Sequence, residues 1–200
     1  MPKFQIACVP GHRASEHLFV IKSVFLYYQT KNKGLILSSF DIMTFFDSEN
    51  IYDCMNELYN SKVTGKVYRL LFEMNRNVSI KVKTPVGMTE SKEVDPLVSQ
   101  ESVEAALLSG NSIGKGIERT FTDETKEVKY TDELTLAPIT YMDDIARLAE
   151  DKESAQYAND KLEDMLNSKG LSFNLDKSNF LSMGNKKSRK IFEQNWKLNP

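Results

Sequence analysis

The sequence has little of what marks a secreted or membrane-spanning protein. Its two cysteines, Cys8 and Cys54, are too few for a disulfide framework, and the opening Met1-Pro2-Lys3-Phe4-Gln5-Ile6 lacks the apolar run of a signal peptide. No uninterrupted apolar stretch approaches the ~20 residues a membrane span needs. An intracellular protein, nuclear or cytoplasmic, with no membrane among its partners is therefore expected. One-signed charge is also scarce: the formal net charge is -2, so any basic surface for a nucleic acid must be local. The two histidines, His12 and His17, lack the companions a zinc site requires. Repeats and low-complexity tracts are missing as well.

What is present is enough apolar material, 40% of 200 residues, to bury one core. The most informative stretch is Ile139-Thr140-Tyr141-Met142-Asp143-Asp144-Ile145-Ala146-Arg147-Leu148. It reads as strand, tight turn, strand, with two adjacent acids at the turn. Like charges side by side repel, and each must be solvated or paired; a divalent cation resolves the conflict. A Tyr-x-Asp-Asp pattern alone is weak, and a two-cation site with ions about 4 Å apart needs further carboxylates. Gly34-Leu35-Ile36-Leu37-Ser38-Ser39-Phe40-Asp41 supplies one, at the end of a second apolar strand.

Periodicity places the remaining elements. A helix capped by Ser15 is expected to run to about Asn32 with Leu18, Ile21, Phe25 and Tyr28 inward. Ile51, Cys54, Met55, Leu58 and Tyr59 predict an amphipathic helix, and beyond Gly65 a second buries Val67, Leu70, Leu71 and Met74. Alternation over Val78–Thr84 predicts a half-buried strand ended by Pro85 and Gly87. A helix with Val103, Ala106, Leu107 and Leu108 inward comes next, then a loop from Gly110 to about Glu133. Ser154 opens a helix that buries Tyr157, Ala158, Leu162, Met165 and Leu166 and ends at Gly170. Leu171–Asn174 and Ser178–Met183 read as short strands. The sum is an α+β fold: an antiparallel sheet, helices on one face, the other face free.

Taken in order, Phe40–Asp47, Gly87–Ser109, Tyr141-Met142-Asp143-Asp144 and Gly170–Ser178 resemble the motifs of a reverse transcriptase palm, most closely those of non-LTR retrotransposons. Gly11–Leu18 resembles the junction of fingers and palm. The resemblance implies a palm over residues 34–184, a partial fingers junction over 1–33 and a short basic segment over 185–200. It further implies template-directed transfer of deoxynucleotides to a primer 3′-hydroxyl with two Mg²⁺ ions, Mn²⁺ substituting. Partners would be an RNA or DNA template with primer, and dNTP. Asp41, Asp143 and Asp144 would be the catalytic, metal-holding acids, joined by the Ile42 carbonyl; all-oxygen ligation suits Mg²⁺. Phe46 would lie under the incoming sugar and exclude a 2′-hydroxyl. Tyr141 and Met142 would touch primer and nucleotide, Gln100 the template or base, and Lys177 the leaving pyrophosphate. Taken singly, Asp41 also reads as a strand-end cap, Phe46 as a core aromatic and Lys177 as a solvated turn lysine.

Two departures accompany the resemblance. Gln100-Glu101 stands where the family has Gln-Gly, placing a side chain and a negative charge beside phosphates. The fingers and thumb, which hold triphosphate and duplex, are largely missing, so a fragment of a larger polyprotein or a decayed copy is expected, inactive alone. The alternatives are a non-catalytic module binding nucleic acid or protein, and another palm-type nucleotidyltransferase. The run Lys186-Lys187-Ser188-Arg189-Lys190 reads as a solvated surface.

Overall fold

The computed structural model describes residues 5–7, 9–76, 78–93, 103–121, 128–129, 135–136 and 138–183. Gln100, Glu101, Cys8 and the basic run 186–190 lie outside them. The chain enters through α1 (Ala14–Thr30), crosses in β1 (Leu35–Asp41), and turns through the short α2 (Phe45–Ser48) into α3 (Ile51–Asn60) and α4 (Gly65–Asn75). Four two-residue strands follow, β2 (Ser79–Ile80), β3 (Lys83–Thr84), β4 (Gly87–Met88) and β5 (Lys92–Glu93), before α5 (Val103–Thr120). A short pair, β6 (Val128–Lys129) and β7 (Thr135–Leu136), precedes β8 (Ile139–Tyr141), β9 (Asp144–Ala149), α6 (Lys152–Ser168) and β10 (Asn179–Met183).

The main sheet has the order β10-β1-β9-β8, with every neighbouring pair antiparallel. Side chains alternate across a strand, so Ile36, Ser38 and Phe40 share a face with their β9 partners Ala149, Arg147 and Ile145. Helix α6 covers this face, its Leu162, Met165 and Leu166 joining Phe40 and Ile145 in the largest core cluster. Phe40 stacks on Phe173 with ring centroids 4.4 Å apart. Helix α6 starts at Lys152 rather than Ser154, because the Asp151 carboxylate accepts the Ser154 N–H at 2.7 Å and becomes the cap. It ends as expected. Gly170 adopts φ +73°, its N–H donates to Asn167 O and that of Leu171 to Leu166 O, the double closure a left-handed C-terminal residue permits. Of the predicted stripe Tyr157 faces outward, while Ala155, outside that stripe, is buried.

Leu35, Leu37, Ser39 and Asp41 point to the opposite face, which is only partly free. Val24 and Tyr28 of α1 pack on Leu35 and Leu148, closing one end. The end with Ser39, Asp41 and Asp144 stays open. The helix turns these two residues inward and leaves Leu18 at 67% exposure, unlike the predicted stripe. Its start at Ala14 is fixed by Glu16, whose carboxylate accepts the Arg13 N–H at 3.1 Å.

The expected loop after Gly110 is instead helix as far as Thr120. Small residues make this possible: α5 passes so close to α6 that a Cβ at Gly116 would lie 2.8 Å from Met165 Sδ. Ile113 and Ile117 enter the main core, while Ala105 and Leu108 pack on Ile51, Cys54, Met55 and Leu58 of α3. The inward place predicted for Leu107 is not found; it is exposed. Tyr59 is exposed too, and Glu57 is buried under the forked guanidinium of Arg119. In α4 only Leu71 of the expected stripe is borne out. Tyr68, Leu71 and Phe72 touch the core, whereas Val67, Leu70 and Met74 are solvent-facing. The predicted strand 78–84 breaks into β2 and β3, which pair separately with β5 and β4. Ile80 and Val82 are exposed, so among the described residues a continuous half-buried strand has nothing to cover. Leu171–Asn174 likewise forms a single bridge, Ile42 to Phe173, instead of a strand.

Candidate functional site

The open end of the sheet gathers the acids. Asp41 is the last residue of β1 and Asp144 the first of β9, and the two are direct cross-strand partners. Asp143 precedes Asp144 in a two-residue turn closed by the Tyr141–Asp144 pair. A turn this tight asks for positive φ, and Met142 supplies +59°, a conformation that costs a side-chain-bearing residue about 1–2 kcal/mol. Tyr141 is 38% exposed beside it.

Directly opposite carboxylates disfavour each other's ionisation. The Asp144 carboxyl is accordingly raised above its ordinary range, first by partial desolvation, then by the negative charges of Asp143 and Asp41, with Lys177 opposing. Three acids and one lysine thus share a single electrostatic site.

The loop after α6 shapes the rest. The Asn174 N–H donates to the Asp41 carbonyl at 2.8 Å, and Ser178 Oγ accepts the Asp41 N–H at 3.4 Å. This fold of the loop brings Lys177 Nζ to 3.7 Å from Asp41 Oδ2, although the lysine is 67% exposed and the aspartate only 18%. The neighbouring Met43 N–H bonds to Ser172 O on the same side. The intervening Ile42 forms the antiparallel bridge to Phe173. Phe46, on α2, is half-buried and packs against both principal clusters, its ring 5.0 Å from that of Phe45. The core-aromatic reading thus describes its surroundings. Gln100 lies outside the described residues.

Among the described residues no three His, Cys, Asp or Glu side chains are gathered in ready-made metal-binding geometry. The chemistry of the donor set nevertheless suits a hard cation: all donors are oxygens, one carboxyl is held above its usual range by its neighbours, and a lysine ammonium already answers that charge. Three participants carried no assigned role in the sequence. Ser178 and Asn174 fix Asp41 from a distant loop, and Gln5 reaches the Met142 turn across the sheet edge. Nothing local signals any of the three. A separate buried acid, Glu49, sits at 2% exposure with neither oxygen in a well-formed hydrogen bond. Burial pushes its carboxyl upward, with the Ser109, Ser112 and Cys54 side chains and the Lys169 charge pulling the other way.

No helix among the described residues is long and apolar enough to cross a membrane. No protein-family model matches the chain, and no curated protein does. Solved structures do. An apo telomerase from Candida tropicalis, truncated from its C-terminal domain, superposes with a TM-score of 0.67 at 14% identity, over 90% of this chain and 36% of that one. Telomerase from Candida albicans, in complex with a TWJ fragment of telomeric RNA, gives 0.61 at 13%, over 88% and 31%. An RdRp complex gives 0.53 at 13%, over 81% and 16%. The chain shares the polymerase palm-like α+β fold of these proteins and spans about a third of the length of the telomerases.

Proposed function

We propose that this chain is the acid-bearing palm of a reverse transcriptase of the non-LTR retrotransposon kind, whose intact parent adds deoxynucleotides to a primer 3′-hydroxyl on an RNA or DNA template. The observation that carries the reading is the pairing of Asp41 with Asp144 across the two central strands, with Asp143 beside them in the turn. The shared fold supports it. Asp41, Asp143 and Asp144, with the Ile42 carbonyl, would hold Mg²⁺ or Mn²⁺; when bound, such ions neutralise charge at the transferring phosphate and acidify the primer hydroxyl. Lys177 holds the countercharge to Asp41 and, on the same loop, would face a leaving pyrophosphate. Phe46 would fill the space under the sugar, and Tyr141 would face primer and nucleotide. An intracellular setting, nuclear or cytoplasmic, belongs to the same reading.

Two assays test it. With Mg²⁺ or Mn²⁺, a chain supplied with fingers and thumb and carrying Glu101→Gly should extend a primer, and Asp41→Asn or Asp143→Asn should abolish extension. A folded protein that incorporates no dNTP overturns the enzymatic reading. Phe46→Val should admit NTPs; unaltered sugar choice would favour a different palm-type nucleotidyltransferase, to which the RdRp likeness also points. A second reading, a non-catalytic module that binds nucleic acid or protein, is favoured by one observation, the Lys177 contact that already answers the Asp41 charge.

A further inference from the structure

The tight turn between β8 and β9 is held from outside the hairpin. Gln5 is 1% exposed and forms a parallel bridge with Thr140 at the sheet edge. Its Oε1 accepts the N–H of Met142 at 3.2 Å and that of Ala7 at 3.0 Å, and its Nε2 donates to the Met142 carbonyl at 3.4 Å. Two N–H donors converge on one terminal atom, which identifies that atom as the oxygen and fixes the amide's orientation. One planar side chain thereby binds both the donor and the acceptor of the peptide units flanking Met142. Met142 is the positive-φ residue of the turn, and a backbone strained in this way persists only where its surroundings over-determine it. Helix α5 closes the back of the amide: a Cβ at Gly110 would already stand 3.4 Å from Gln5 Cγ and 3.6 Å from Nε2.

We infer that Gln5 is a positioning residue for the acidic turn: by clamping Met142 it fixes where Asp143 stands relative to Asp41 and Asp144, and so sets the affinity of the site for a divalent cation. The inference rests on the cation-binding reading of the three acids given above. Outer partners that orient ligating groups change metal affinity about 10–100-fold when removed. Gln5 acts one step further back, through backbone, so the lower end of that range is expected. An ionised glutamate in its place keeps the shape and can still accept from Met142 and Ala7 but cannot donate to the Met142 carbonyl. An alanine loses all three bonds.

The experiment measures Mn²⁺ binding to the full chain by electron paramagnetic resonance, together with hydrogen exchange of the Met142 amide, in the unaltered protein, Gln5→Ala, Gln5→Glu and Asp41→Asn. Gln5→Ala should weaken Mn²⁺ about tenfold and speed exchange at Met142, with the amides of α6 unchanged. Gln5→Glu should retain slow exchange, because the Met142 N–H keeps its acceptor, while the cation affinity still shifts. Mn²⁺ affinity and Met142 exchange in Gln5→Ala equal to those of the unaltered protein overturn the clamp. If Gln5→Ala does not fold, the isosteric Gln5→Glu decides: an unshifted affinity overturns the proposal. No Mn²⁺ binding by the unaltered chain, or binding that survives Asp41→Asn, sinks the cation reading instead, and the clamp is then judged on Met142 exchange alone.

Discussion

Gly116→Ala tests the close approach of α5 to α6. In an open helix the replacement adds about 1 kcal/mol, the difference in propensity between the two residues. Here the new Cβ would stand 2.8 Å from Met165 Sδ, 3.3 Å from Lys169 Cε and 3.5 Å from Met165 Cγ. Met165 is itself 8% exposed within the main core and has little room to yield. Overpacking of this kind costs about 1–3 kcal/mol, so the net expectation is a loss of about 0–2 kcal/mol. At about 2–4 °C per kcal/mol for a chain of this size, Tm should fall by up to about 8 °C. The decisive measurement is a double-mutant cycle with Met165→Ala, read by urea denaturation. Once the thioether is gone, Gly116→Ala should stabilise by about 1 kcal/mol, giving a coupling of about 1–3 kcal/mol. A stabilisation of similar size in both backgrounds would refute the close approach of α5 to α6.

Two other outcomes follow from buried charge. Glu49 has its carboxyl raised by burial; a raised group contributes stability that is complete below the ordinary carboxyl value of 4.5 and is lost as pH climbs through the higher folded value. The stability of Glu49→Gln relative to the unaltered chain should therefore grow as pH rises above 4.5, and a difference in thermal melts that stays flat with rising pH would show that the site does not hold a neutral acid. Arg119→Ala strands Glu57, whose side chain is only 12% exposed, while the guanidinium itself is 56% exposed. Discounted for that exposure, the loss should be about 1–2 kcal/mol by chemical denaturation, and Arg119→Ala with Glu57→Leu should recover most of it; no loss in the single variant would dismiss the fork.

The acids and their strands were readable because each carries its signal locally. Leu35–Asp41 and Ile139–Leu148 combine strand-forming residues with an acid at the end that needs explaining, and the register then pairs Asp41 with Asp144. Gly110–Thr120 failed for the opposite reason. Glycines and serines that permit a tight helix crossing are, by composition, what a loop looks like. In α4 a period of 3.6 shows that one face is apolar but not how far round the helix a neighbour will reach, so of the expected Val67, Leu70, Leu71 and Met74 only Leu71 meets the core, beside Tyr68 and Phe72. Likewise Val82, for all its alternation with lysines, is exposed. Gln5 lies 137 residues from Met142; a contact of that span leaves no periodic trace.

The order of strands β10-β1-β9-β8 also governs when the acids first meet. Joining β1 to β9 closes a loop of about a hundred residues, the kind of long-range pairing that slows folding. Lys177 and the Gln5 clamp wait on still more distant segments. A ribosome-bound or half-folded chain therefore presents Asp41 alone, with no partner acid and no fixed turn. A ligand drawn to the assembled acids binds the finished fold and not its precursors, and so draws the folding equilibrium toward completion.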